Sequence, residues 1–128
     1  MLENHLEQLG KELGIGIPPL NAQNLRTLNI GKIDITMKEL DPGIYFHALV
    51  SPIPQENREE LLLLLMKANL LGQGTGGSTL GLKEDESSLT LSLTLPYEMN
   101  YRGFREAVED FVNYVDYWKT RVAEASKS

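Results

Sequence analysis

Leu2, Leu6, Leu9 and Leu13 recur at intervals of four, three and four, with Glu3, Glu7 and Lys11 elsewhere on the circumference. That spacing predicts a short amphipathic helix with one leucine stripe. Gly10 weakens it and Gly14 ends it, so the helix must find its stability by docking. The stripe suits either core contact or the border of a partner groove. Residues 14–24, GIGIPPLNAQN, keep no helical period, and Pro18 and Pro19 remove two backbone donors. A connector is expected there, with Ile15, Ile17 and Leu20 pinning it to the body.

Period-two alternation follows. Leu28 and Ile30 alternate with Thr27 and Asn29, and Ile33, Ile35 and Met37 alternate with Asp34, Thr36 and Lys38. Asp41-Pro42-Gly43 then marks a turn, after which Ile44, Phe46, Ala48 and Val50 form an inward set. The outward set of that strand is Tyr45, His47, Leu49 and Ser51, too apolar for a face meant only for water. Its cover is an intrachain element, a second subunit or a ligand chain.

Pro52 and Pro54 close the strand, and a helix is predicted over Gln55 to Leu71, with Glu56, Glu59 and Glu60 near its start and Gly72 at its end. Residues 61–66 read LLLLLM, so this helix is apolar on nearly every side. One small sheet covers only one face of such a helix, which predicts dimerisation through it. The glycines at 72, 74 and 77 match GxGxxG, but a helix precedes them and a strand follows. That is the reverse of a dinucleotide fingerprint, and a flexible helix-to-strand connection is the expectation. Thr79 to Lys83 and Ser88 to Leu95 predict a hairpin around Glu84–Ser87, with Leu89, Leu91, Leu93 and Leu95 on one face and serine or threonine on the other. The last helix starts near Asn100, a capping residue. Its stripe of Tyr101, Phe104, Val108, Phe111, Val115, Trp118 and Val122 makes it the principal core helix.

Composition narrows the chemistry more than the architecture. The chain has 128 residues, 12 basic and 18 acidic side chains for a net charge of −6, and no cysteine. Disulfides, thiolate nucleophiles and zinc–cysteine sites are excluded. The basic residues are dispersed among acidic ones, which argues against nucleic acid and anionic lipid as partners. The longest apolar run falls far short of the ~20 residues that span a bilayer. Only His5 and His47 could serve as imidazole bases or ligands, and neither stands in a metal-binding spacing. The carboxylates occupy ordinary solvated positions. No enzyme, metal or cofactor is therefore expected, and a binding protein is the better account.

The predicted order α-β-β-β-α-β-β-α gives an α+β fold, a small α/β sandwich with an antiparallel sheet packed by helices. Order and local sequence together resemble the Tir chaperone (CesT-like) family, the class I chaperones of bacterial type III secretion. The resemblance covers nearly the whole chain and is carried by FHALVSPIP at 46–54, LLLLLMKANLLG at 61–72, LGLKEDESSLTLSLTLP at 80–96 and Trp118 near the end of the last helix. It implies a cytoplasmic bacterial homodimer that binds the N-terminal part of a secreted effector or translocator and releases it at the secretion ATPase. It implies dimer contacts along the second helix, at Leu61, Leu62, Leu64, Leu65, Ala68 and Leu71. It also implies a client groove that includes Leu2, Leu6, Leu9 and Leu13 of the first helix with Tyr45, His47 and Leu49 of the third strand. Residues 1–125 form one domain in this reading, and 126–128 a frayed tail. The chain departs from the family pattern in its longer connector at 14–24 and in the glycines around 72–77. The alternative is a regulatory or adaptor dimer of the same fold, YbjN-like, that binds a folded partner.

Overall fold

The computed structural model describes residues 2–71 and 77–127. Among them the elements run α1 (Leu2–Leu13), β1 (Arg26–Ile30), β2 (Ile33–Leu40), β3 (Gly43–Pro52), α2 (Arg58–Leu71), β4 (Thr79–Leu82), β5 (Ser88–Leu95) and α3 (Tyr101–Lys127). The strands form one antiparallel sheet in the order β1-β2-β3-β5-β4. This is the expected α+β arrangement.

Alternation in the strands becomes two chemically different sheet faces. Leu28, Ile35, Met37, Ile44, Phe46, Ala48, Leu89 and Leu91 are buried on one side. The pairing Met37↔Phe46↔Leu93 lines these residues up across three strands. α3 lies over that side, contacting β3, and α1 packs beside α3. Phe46 meets Phe104 and Phe111 edge to face at centroid distances of 6.2 and 5.5 Å, so the aromatic stripe of α3 locks onto the central strand. Val108, Val115, Trp118 and Val122 continue the contact and are buried.

The ends of the helices follow from local chemistry. Asn100 caps α3, its Oδ1 accepting from the Gly103 amide at 2.9 Å. α3 continues to Lys127, beyond the point where fraying was expected. At the end of α1, Gly14 adopts φ 71° and the Ile15 amide donates to the Gly10 carbonyl at 2.8 Å, the bond of a Schellman cap. α2 begins at Arg58, later than expected, because Asn57 has φ 57° and holds the preceding residues in a turn. Gly72 and the Gly-rich stretch through Gly76 lie outside the described residues.

α1 docks through its leucines and through polar ties in its first two turns. Leu2, Leu6 and Leu9 are buried. The Leu2 amide donates to Glu39 Oε1 at 2.7 Å and holds that carboxyl below the usual carboxylate range. His5 is buried, stacks on Phe104 at 5.1 Å, and places Nε2 3.0 Å from the Met99 carbonyl oxygen. The connector is held differently from the expectation. Ile15, Ile17 and Leu20 are all exposed, whereas Pro18 is buried and its carbonyl accepts from Arg26 Nη1 at 2.6 Å. A polar tie to a backbone carbonyl therefore fixes the segment, and the apolar side chains are left over.

The turn into β3 depends on a glycine. Gly43 has φ 113°, and a Cβ there would overlap the Leu95 carbonyl oxygen and crowd Pro96 and Tyr97. Gly43→Ala should destabilise the fold by about 3 kcal/mol, the sum of a strained backbone and displaced neighbours. Chemical denaturation of the two proteins measures the difference, and an unchanged midpoint would contradict the close approach.

Candidate functional site

With α3 and α1 packed on the inner side of the sheet, the outer face is where chemistry could be presented. Tyr45 and His47 are half-buried there, and Leu49 is 52% exposed. The Tyr45 and His47 rings lie near parallel, 6.5 Å apart along β3. A concavity of about 760 Å³ opens over this row. Its floor is His47, Ala48, Leu49 and Thr90, and its walls are the β1–β2 turn, with Lys32 and Asp34, and the β4–β5 turn, with Leu82 through Asp85. Walls and floor carry mixed charge, and the apolar content sits at Leu49 and Leu82.

A second hollow, of about 520 Å³, lies between α1 and α3 on the opposite side of the sheet. Leu9, Leu13, Ile30, Val108 and Val112 give it an apolar lining. Its rim is set by Arg105, whose Nε is 3.0 Å from Glu109 Oε1 and whose Nη1 is 3.6 Å from Glu12 Oε2. Glu109 is the larger influence holding that guanidinium in its charged form. Two carboxylates against one guanidinium leave the rim net negative.

The third surface is the outer side of α2. Leu61 and Leu65 face inward and are buried, with Leu62, Leu64 and Ala68 packed partly against the same core. On the far side Leu63, Met66 and Leu70 are 54%, 69% and 79% exposed. Their spacing of three and four puts them on one stripe, with Lys67 exposed beside it.

These placements redraw the expected sites. Of the six dimer residues, Leu61 and Leu65 are consumed inside the subunit, Leu62, Leu64 and Ala68 are partly so, and the side chain of Leu71 lies outside the described residues. The stripe of α2 that is exposed on the subunit is Leu63, Met66 and Leu70. Its signal was in the sequence: Glu59, Glu60 and Lys67 share that side of the helix, and charge marks the solvent side. Of the seven client residues, Leu2 and Leu6 are core, Leu9 and Leu13 line the hollow between α1 and α3, and Tyr45, His47 and Leu49 line or border the outer concavity. The sheet separates the two sets, so the structure does not gather them into one groove. Ile30 and Val112, which complete the second hollow, were not expected as site residues.

Among the described residues no group of three histidine, aspartate or glutamate side chains could hold a metal ion, and no helix is long and apolar enough to cross a membrane.

Comparison with known proteins bears on what such surfaces serve. The model of the Tir chaperone protein (CesT) family matches residues 4–119. The chain belongs to that family. A Chlamydia pneumoniae protein designated CPj0713/CpB0740 is 34% identical over 122 residues, covering 92% of this chain and 93% of its own. Among solved structures, a chain of the HopA1–SchA chaperone–effector complex superposes with a TM-score of 0.73 at 12% identity, with 93% of each chain covered. A chain of the ExsC–ExsE complex gives 0.74 at 12% identity, covering 93% of this chain and 91% of that one. YbjN from E. coli, a putative transcription regulator, gives 0.58 at 18% identity over 97% and 90% of the two chains. At these identities the superpositions speak for the fold. For this CesT-family chain, the sheet and its three helices are thus the family scaffold, and the hollows on either side are the features that scaffold presents.

His47 reports on the outer concavity. Burial lowers its pKa from the ordinary value of 6.5, so the native state favours neutral imidazole. The unfolded chain then takes up this proton first as pH falls. The contribution is complete above about pH 6.5 and is lost progressively below it, until the native imidazole also protonates. His47→Gln should lose less stability than the wild type between about pH 7.5 and 5.5 in denaturant titrations. Parallel pH profiles would mean that the ring is as well solvated as in the unfolded chain.

Proposed function

We propose that this CesT-family chain is a type III secretion chaperone. It acts as a homodimer that holds the N-terminal segment of a secreted effector or translocator in an extended, export-competent form until the secretion ATPase takes it. The observation that carries this reading, beside family membership, is the surplus of apolar surface on a subunit whose core is already complete. Leu63, Met66 and Leu70 stand on one helix face, and Leu13, Ile15, Ile17, Leu20 and Leu49 stand elsewhere, all exposed. Burying a large aliphatic side chain is worth on the order of 2 kcal/mol, so each surface has a strong reason to be covered.

The two kinds of surface suit two kinds of partner. A stripe along one helix is self-complementary about a two-fold axis, which suits a second copy of the chain. The hollows lie on opposite sides of the sheet, which suits a segment that wraps rather than a folded domain that docks. The negative rim at Glu12 and Glu109, in a chain of net charge −6, favours basic residues beside the apolar anchors of that segment. Holding a client in this way requires no covalent chemistry, and the bacterial cytoplasm is where a chaperone of this kind operates.

Two sets of variants test the reading. Leu63→Glu with Leu70→Glu should convert a dimer at micromolar concentration to a folded 14.3 kDa monomer in sedimentation equilibrium. A wild-type protein that is itself monomeric there would overturn the dimer. With the dimer intact, Leu13→Asp and Leu49→Asp should each weaken binding of a co-expressed effector's N-terminal segment by roughly tenfold or more in titration calorimetry. If neither change alters affinity, the client does not use these hollows.

A further inference from the structure

The sheet order leaves two edge strands, β1 and β4, and β4 is treated in an unusual way. Asn69, on the inward side of α2, reaches the backbone of Leu80 with its whole amide. Oδ1 accepts from the Leu80 amide and Nδ2 donates to the Leu80 carbonyl, both at 2.8 Å. Those are the two bonds that a residue of a neighbouring strand would make.

Alternation shows how much of the edge this removes. The Lys83 amide donates to the Ser88 carbonyl at 2.9 Å across the hairpin, so residue 83 faces β5, as do 81 and 79. Leu80 and Leu82 face outward. Asn69 occupies the first, and only Leu82 of the four-residue strand keeps an outward donor and acceptor. The start of α2 is fastened to the same hairpin, with Arg58 Nη2 donating to the Glu86 carbonyl at 3.3 Å and standing 3.8 Å from its carboxylate. α2 therefore lies along β4 between two polar clasps.

We propose that Asn69 is an edge guard: by imitating a strand residue at Leu80 it bars other chains, above all a second copy of this one, from extending the sheet at β4. A client-binding protein has particular need of such a device, because it meets extended polypeptide routinely and an open strand edge pairs with whatever is extended. The guard confines association through this side of the molecule to the side chains of α2 and excludes the backbone of β4.

Hydrogen exchange and sedimentation of the full chain test this. In the wild type, the Leu80 amide should exchange roughly tenfold or more slowly than the outward Leu82 amide, and equal rates would overturn the sealed edge. Asn69→Leu keeps the size of the side chain and loses both bonds. Its Leu80 amide should exchange as fast as that of Leu82, and its weight-average mass should rise above the wild type by about twofold or more as concentration increases. Adding Leu82→Pro removes the remaining outward donor without touching the bonds to β5 and should return the mass to the wild-type value. Wild-type mass in Asn69→Leu would refute the guard. Association that persists unchanged in the double variant would place the contact elsewhere and refute it equally.

Discussion

The contact between Phe46 and the two phenylalanines of α3 is the constraint on which the other elements depend. Phe46 sits at the centre of the sheet, paired with Met37 on one side and Leu93 on the other, and Phe104 and Phe111 close on it edge to face. Once α3 is fixed there, its first turn presents Phe104 to His5, and Val108 in its third turn shares a hollow with Leu9, which gives α1 a place to dock. The inner face of the sheet is then filled. Of the large apolar side chains left exposed, Leu49 lies on the outer face, Leu63, Met66 and Leu70 on the far side of α2, and Ile15, Ile17 and Leu20 along the connector.

Much of this architecture was legible because its elements carry a phase. Strands β2, β3 and β5 alternate cleanly, and the stripe of α3 repeats every three and four residues, so both the type of element and its buried side follow from sequence. α2 is different. A run of five leucines and a methionine has no phase of its own, and the inward side is selected by the fit of Leu61 and Leu65 to the body and by the reach of Asn69 to Leu80. Only the flanking charges mark the outer side. The connector misled for another reason: apolar side chains on irregular backbone look like anchors, yet the segment is held by polar ties, the Arg26 guanidinium on the Pro18 carbonyl and the Asn21 side chain on the Gln23 and Leu25 amides.

The candidate site was legible residue by residue but not as an assembly. Sequence alternation states that Tyr45, His47 and Leu49 share a face and that the leucines of α1 share another. It cannot state that the sheet stands between them, because in or out is a property of one element whereas the layer is a property of the fold. Of the ion pairs that shape the rim of the inner hollow, Arg105–Glu109 is an i,i+4 pair readable on the helix, whereas Arg105–Glu12 joins residues 93 positions apart and has no sequence signature.

The β1–β2 turn has a consequence for how far a bound segment must travel. Ile30, the last residue of β1, lines the hollow between the helices, and Lys32 in the turn with Asp34 at the start of β2 walls the outer concavity. The two hollows are therefore neighbours around the tip of one hairpin, although they open on opposite faces. Because α2 lies along the β4 edge, the short route for a polypeptide that fills both is around that tip. With side-chain layers on each face of the sheet the detour is roughly 20 Å, which about six extended residues span. Two apolar clusters separated by a linker of that length are the arrangement in a ligand's own sequence that this surface would measure.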